Sequence, residues 1–331
     1  MKKILILGGS SFSGSSFANY MLKKNYFVVS TYRRKKNILY QPHLQNKNKK
    51  NLRNIRIDLD KNINRLIKII KKLKPNYIVD FASLCMVNES WVKPEIYFNS
   101  NLKNKSILLK ELINLSFIKK YIYISTPEVF GSSEKSIKED YSHFNPTTPY
   151  AVSKLSYELL LKSYGKSFNF PYIICRFSNF FGIGQPNYRL IPKVILSILT
   201  NKKFPLQGNG TSKRNFIDSY DFCRGIYLAI SKGNIKSSYH FSTKKFYSIK
   251  NVIKKICLLK NFRYKDLIKV KKDRIGKDKT YKLNCKKTIK ELGWKPIISF
   301  EDSLKNIIKF YEMNLKKLKY LEMVYNDKNF K

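Results

Sequence analysis

KKILILGGSSFSGSSFANYMLKKNYFVVSTYRR, residues 2–34, decides the fold. The apolar run Ile4–Leu7 reads as a buried strand, since a short unbroken apolar run ending at a turn suits a strand covered on both faces. Gly8, Gly9 and Gly14 make a tight turn, and Phe17, Met21 and Leu22 then fall on one face of a helix. Phe27–Thr31 supplies a second strand and completes a β-α-β unit. Glycines in such a turn let backbone amides approach a pyrophosphate, which rests on the helix N-terminus. The pattern predicts a dinucleotide site; the bland alternative is a small-residue turn with no ligand.

Strand–helix alternation continues outward from this unit. Asn54–Asp58, Tyr77–Phe81, Lys120–Ser125 and Pro171–Arg176 read as further strands, with amphipathic stretches at Ile63–Leu73 and Leu102–Leu115 between them. The expected class is α/β, a doubly wound parallel sheet. Residues 33–52, polar and basic, read as a long surface loop. After Phe180 the elements shorten, and the tail beyond Met313 reads as a last helix that frays.

A second stretch carries chemistry. STPEVFG, residues 125–131, follows the apolar and aromatic run YIYIS, so Ser125, Thr126 and Glu128 sit where a buried strand gives out into a loop. PYAVSK follows at 149–154. Tyr150 and Lys154 are four residues apart, which on a helix places both on one face. An ammonium beside a phenol favours the phenolate, making Tyr150 a candidate base for an alcohol hydroxyl. Tyr20/Lys24 and Tyr32/Lys36 repeat the spacing; the Ser/Thr/Glu strand end upstream sets Tyr150/Lys154 apart.

Composition adds bounds. The chain has 331 residues, enough for one large or two modest domains, and a formal charge of +44 from 66 Lys and Arg against 22 Asp and Glu. Such charge suits nucleic acid or an anionic surface. The basic residues are nevertheless spread along the chain amid abundant Asn, Ile, Tyr and Phe, so nucleic acid is not the expected partner. Cys85, Cys175, Cys223, Cys257 and Cys285 show no C-x-x-C pairing and read as buried thiols of a reducing compartment. His43, His143 and His240 are far apart, and no metal site is expected. MKKILIL stops at Gly8, too short for a signal-peptide core, and no run is long enough to span a bilayer. The expected location is the cytoplasm.

The motifs together resemble an extended short-chain dehydrogenase/reductase of the nucleotide-sugar type, similar to the dTDP-glucose and GDP-mannose 4,6-dehydratases. The resemblance covers GGSSFSG, DFASLCMVNESW, STPEVFG, PYAVSK, RFSNFFG, LIPKVI, RNFIDSYD, RIGKDKTY and KELGW. It implies a Rossmann domain over residues 1–180 and about 214–243, and a smaller α+β substrate-binding domain over 181–213 and 244–315. Residues 316–331 would be a C-terminal helical tail.

It also implies roles. Tyr150 would take the sugar 4-hydroxyl proton, Lys154 would hold the cofactor ribose and lower the Tyr150 pKa, Thr126 would bond the 4-oxygen, and Glu128 would remove the C5 proton. Gly8, Ser11, Phe12, Ser13, Gly14, Arg33, Arg34, Asp58, Leu59, Phe81, Ala82 and Ser83 would contact the cofactor, Asp58 through the adenine amino group. Asn179, Lys193, Arg214 and Arg274 would grip the nucleotide diphosphate. Pro127 stands where dTDP-glucose dehydratases carry an Asp that protonates the leaving hydroxyl; the GDP-mannose enzymes have Ser there. The second strand ends without an acid but with Arg33 and Arg34, which favours NADP over NAD. A homodimer is expected through the helices of Leu84–Leu115 and Tyr150–Tyr164, with Leu155, Leu159, Leu160 and Leu161 among the surplus apolar positions. Alternatives are a 4-epimerase or decarboxylase of the same family and, in a different class, a non-catalytic dinucleotide sensor or nucleic-acid-binding protein.

Overall fold

Seven parallel strands form the central sheet: β1 (Lys3–Leu7), β2 (Phe27–Tyr32), β3 (Leu52–Arg56), β4 (Tyr77–Asp80), β5 (Lys120–Ser125), β6 (Tyr172–Phe177) and β7 (Ser237–Phe241). They lie in the order β7-β6-β5-β4-β1-β2-β3, and every neighbouring pair is parallel. The computed structural model describes residues 1–272, 280–321 and 323, so the expectation for Arg274 lies outside the described residues. The chain is the doubly wound α/β fold. Its strand order reverses between β1 and β4, and in such sheets a crevice opens there beyond the carboxyl ends of the strands.

Period-two alternation explains how the sheet is covered. Ile4, Ile6 and Val28 face one core with Phe17 and Met21 of α1 (Phe12–Lys23). Leu5, Leu7 and Val29 face the other, against Leu66 and Ile70 of α2 (Leu59–Leu73), Leu108 and Leu112 of α3 (Asn104–Leu112), and Tyr157 and Leu161 of α4 (Pro149–Ser167). Phe17, Met21 and Leu22 are fully buried, each contributing about 1.5–3 kcal/mol through burial. A further apolar cluster gathers Phe181, Ile191, Phe216, Ile253, Leu304 and Tyr311.

Three expectations change. The third strand begins two residues early, because Leu52 pairs with Val28 and Arg56 with Tyr32. Asp58 instead caps α2, its carboxylate accepting from the Asp60 amide at 3.1 Å. Residues 33–52 are not a bare surface loop: 3₁₀ turns at Ile38–Tyr40, Pro42–Gln45 and Lys49–Asn51 fold back on α1, burying Gln41, His43 and Asn46. These polar residues bury because α1 and the turn before it offer polar partners. Gln41 donates to the Ser10 carbonyl at 3.0 Å, and His43 Nδ1 lies 2.9 Å from Ser15 Oγ. Asn46 donates to Asn19 Oδ1 at 2.6 Å. Finally, the chain past Met313 packs rather than frays as far as Leu318, which is fully buried and whose carbonyl accepts from Asn187 at 2.9 Å.

Candidate active site

The glycine turn forms because its geometry admits no side chain. Gly8 has φ +75°, and a Cβ there would stand 2.9 Å from the Ala82 backbone; one at Gly14 would stand 2.4 Å from the Gly8 carbonyl oxygen. Ser11 is the N-cap of α1. Its hydroxyl accepts from the Gly14 amide at 3.0 Å and donates to the Gly8 carbonyl at 2.7 Å. Phe12 and Ser13 open the helix, with the Phe12 ring stacked on Phe180 at 5.5 Å between centroids. A turn whose Gly8 and Gly14 leave no room for a side chain, set at a helix N-terminus, fits a pyrophosphate.

Other groups gather on the same carboxyl edge. Arg33 and Arg34 follow β2 half-buried, and the Arg33 charge reaches the carboxyl of Asp60, beside Asp58 and Leu59. Phe81, Ala82 and Ser83 follow β4. Thr126 follows β5 and caps a 3₁₀ turn, Pro127–Phe130, accepting from the Glu128 amide at 3.3 Å.

The Pro127–Phe130 turn delivers Glu128 to Tyr150, which sits in the first turn of α4 behind the Thr148 cap. Thr126 hydrogen-bonds the Tyr150 phenol. Burial pushes that phenol well above its ordinary value, and the Glu128 carboxylate pushes it further. The phenol is therefore neutral at pH 7 in this arrangement. Its downward pulls come from the Thr126 hydroxyl and the Arg189 guanidinium.

The pairing expected between Lys154 and Tyr150 takes another form. Lys154 Nζ donates to the Ile124 carbonyl at 2.7 Å and to Ser83 Oγ at 3.0 Å, and lies 4.1 Å from the Tyr123 ring centroid. Burial, then the neighbouring Lys105, push its ammonium well below the usual lysine range. Helical spacing put both side chains on one face, but Lys154 turns toward the strand ends, where a carbonyl and a hydroxyl accept its protons.

Toward the second cluster, Tyr281 joins two expected substrate residues: its hydroxyl donates to Asn179 Oδ1 at 3.1 Å, and the Arg214 guanidinium lies 4.9 Å from its ring centroid. Lys193 is half-buried on the helix Leu190–Leu199, its ammonium lowered by burial. Arg189, one residue before that helix, escaped the sequence reading. It donates to Cys85 Sγ at 3.2 Å and acts on Tyr150. Its only signal was adjacency to LIPK. Cys85 is exposed, against the expectation of a buried thiol, because the chain leaves the sheet edge there. Among the described residues no three His, Cys, Asp or Glu are grouped to hold a metal ion.

Fold and site together define a nucleotide-binding α/β enzyme frame with a Thr/Glu/Tyr/Lys centre at the strand ends. The family model for GDP-mannose 4,6 dehydratase matches residues 5–307, and the chain belongs to that family. It is 30% identical to dTDP-glucose 4,6-dehydratase of Haemophilus influenzae, over 95% of this chain and 99% of that one, and 27% identical to the Mus musculus dTDP-D-glucose 4,6-dehydratase, over 97% and 92%. Among solved structures, the dTDP-glucose 4,6-dehydratase of Streptomyces venezuelae with NAD bound superposes with a TM-score of 0.87 at 25% identity, covering 95% of this chain and 98% of that one. The dTDP-glucose 4,6-dehydratase of Bacillus anthracis in complex with NAD gives 0.85 at 28%, covering 97% and 100%.

Proposed function

We propose that this protein is a nucleotide-sugar 4,6-dehydratase that converts an NDP-hexose to the NDP-4-keto-6-deoxyhexose with loss of water. The observation that carries this reading is the convergence of Thr126 and Glu128 on the Tyr150 phenol at the end of β5. A nicotinamide dinucleotide fits the Gly8–Gly14 cradle and, when bound, supplies a hydride acceptor that later returns the hydride. Tyr150, whose phenolate the positive charge of a bound oxidised nicotinamide would favour, takes the proton of the sugar 4-hydroxyl, while Thr126 bonds the 4-oxygen. Glu128 removes the C5 proton, which an adjacent ketone acidifies, so a positioned carboxylate suffices. Pro127 has no proton to give, so Glu128 hands the proton on to the departing C6 hydroxyl. Asn179, Lys193 and Arg214 hold the diphosphate, charged donors being suited to phosphate oxygens.

The cofactor preference is NADP, supported by Arg33 and Arg34 after β2 and by the lack of an acid there. The relatives' structures contain NAD, which makes this preference a departure from them. The substrate is read as a nucleotide-diphosphate sugar, the location as cytoplasmic.

The experiment is incubation of the purified protein with a panel of NDP-hexoses and analysis for 4-keto-6-deoxy products. Glu128→Gln should lose elimination by at least about a hundredfold, the lower range for a general base, while reduction of the bound nicotinamide persists. Sugars epimerised at C4 without loss of water would replace the dehydratase reading with an epimerase.

A further inference from the structure

Behind Lys154 lies a second buried lysine that the reaction above does not use. Lys105 of α3 and Asp80 at the end of β4 are 1% and 0% exposed, with Nζ and Oδ2 2.7 Å apart. Asp80 is fully engaged: Oδ2 also accepts from the Tyr121 hydroxyl at 2.8 Å, and Oδ1 from the Ala82 amide at 2.9 Å. Lys105 Nζ reaches past the carboxylate to Ser83 Oγ at 3.0 Å, the same distance at which Lys154 Nζ meets that oxygen from the other side.

The geometry has a chemical consequence. An ammonium can only donate, and a hydroxyl has two acceptor positions and one proton. Two ammonium donors fill both acceptor positions of Ser83, so its own proton must be given away from them. The Tyr123 ring, 5.0 Å from Lys105 Nζ and 4.1 Å from Lys154 Nζ, forms a common floor for both cations. Two like charges sharing one buried hydroxyl repel, and the Asp80 carboxylate offsets this only while Lys105 holds it.

We propose that Lys105, held by Asp80, is a positioning residue for the dinucleotide: it occupies the carboxylate that would otherwise draw Lys154 back into the sheet, and with Lys154 it fixes the Ser83 hydroxyl as a donor toward the ligand. The inference rests on the reading that Lys154 holds the dinucleotide. The charged and titratable groups acting on Lys154 are Lys105 from α3, Asp80 from β4, Glu158 from its own helix α4, and Cys85 from the segment after β4. Lys105 favours the neutral amine, and the other three favour the ammonium.

The test is calorimetric titration of the intact protein with NAD and NADP across pH, without sugar, for wild type, Lys105→Met, Asp80→Asn and the charge-free double variant. Wild-type affinity falls at high pH as Lys154 loses its proton. Lys105→Met moves that fall up by about one pH unit, and Asp80→Asn moves it down by about as much. The double variant, which leaves no unpaired buried charge, returns it close to wild type and remains measurable should either single variant fail to fold. At pH 7, Lys105→Met binds about tenfold more weakly, and the double variant recovers to within about threefold, because no carboxylate remains to draw Lys154 back. A merely structural pair would shift the fall in neither direction. Folded variants with an unmoved fall, or a double variant that binds no better than Lys105→Met, would overturn the proposal. A wild type that binds dinucleotide yet transforms no sugar nucleotide would sink the dehydratase reading and leave this comparison decisive.

Discussion

Arg33 and Arg34 carry the sharpest residue-scale expectation. A guanidinium on a 2′-phosphate forms charge-assisted hydrogen bonds of roughly 1.5–3 kcal/mol each, about ten- to a hundredfold in affinity. NADP is therefore expected to bind more tightly than NAD by that factor, and Arg33→Ala with Arg34→Ala to erase the difference while leaving NAD affinity unchanged. Equal affinities in the wild-type protein would return the assignment to NAD. Thr126, Glu128, Tyr150 and Lys154 were legible because each sits in a short motif whose spacing has a local meaning. Arg189 and Cys85 were not, since they meet across 104 residues of chain and neither has a pattern of its own. The direction Lys154 points was equally hidden: helical spacing assigns a face, but the Ile124 carbonyl and Ser83 hydroxyl that claim its protons come from β5 and from the segment after β4.

Among the elements, six of the seven strands were readable to within two residues, while β7, SSYHF, has no apolar run and went unread; the largest offset is at β3. There Leu52–Arg56 alternates between half-buried, exposed and buried residues, and register with β2 rather than hydrophobicity sets the start. The segment between β2 and β3 was misread because burial of polar side chains leaves no apolar signature. His43 shows what that burial costs. Desolvation lowers its pKa from the ordinary 6.5 to about 4. The unfolded chain takes a proton near pH 6.5 and the folded one not until about pH 4, so stability is present above pH 6.5 and lost as pH falls through this window. The loss amounts to about 3 kcal/mol. The melting temperature should therefore fall between pH 7 and pH 4.5, and fall less in His43→Gln, which has no proton to gain. An identical decline in both proteins would refute the assignment.

At the scale of the whole molecule, the charge of +44 suits attraction of the diphosphate carried by the proposed substrate. Among the described residues no helix is long and apolar enough to cross a membrane. The homodimer remains an expectation with a narrower footing than four leucines. Leu161 is buried in the sheet's own core, Leu155 packs beside Val129 and Phe130, and Leu160 lies against the same core as Leu161. Leu159, Trp91 and Ile107 stay 47%, 48% and 40% exposed on helices flanking the sheet. These are the apolar groups a second copy would cover, and light scattering at micromolar concentration should give twice the mass of 39.1 kDa. A monomeric mass would exclude that arrangement. The folded-back segment after β2 has a consequence of its own. Gln41 and His43 are tied to the glycine turn and α1, while Leu39 and Tyr40 pack into the cluster around Phe181 and Tyr311. One stretch of chain is thus a shared wall of two cores, so neither can melt alone, and the molecule should come apart in a single cooperative transition.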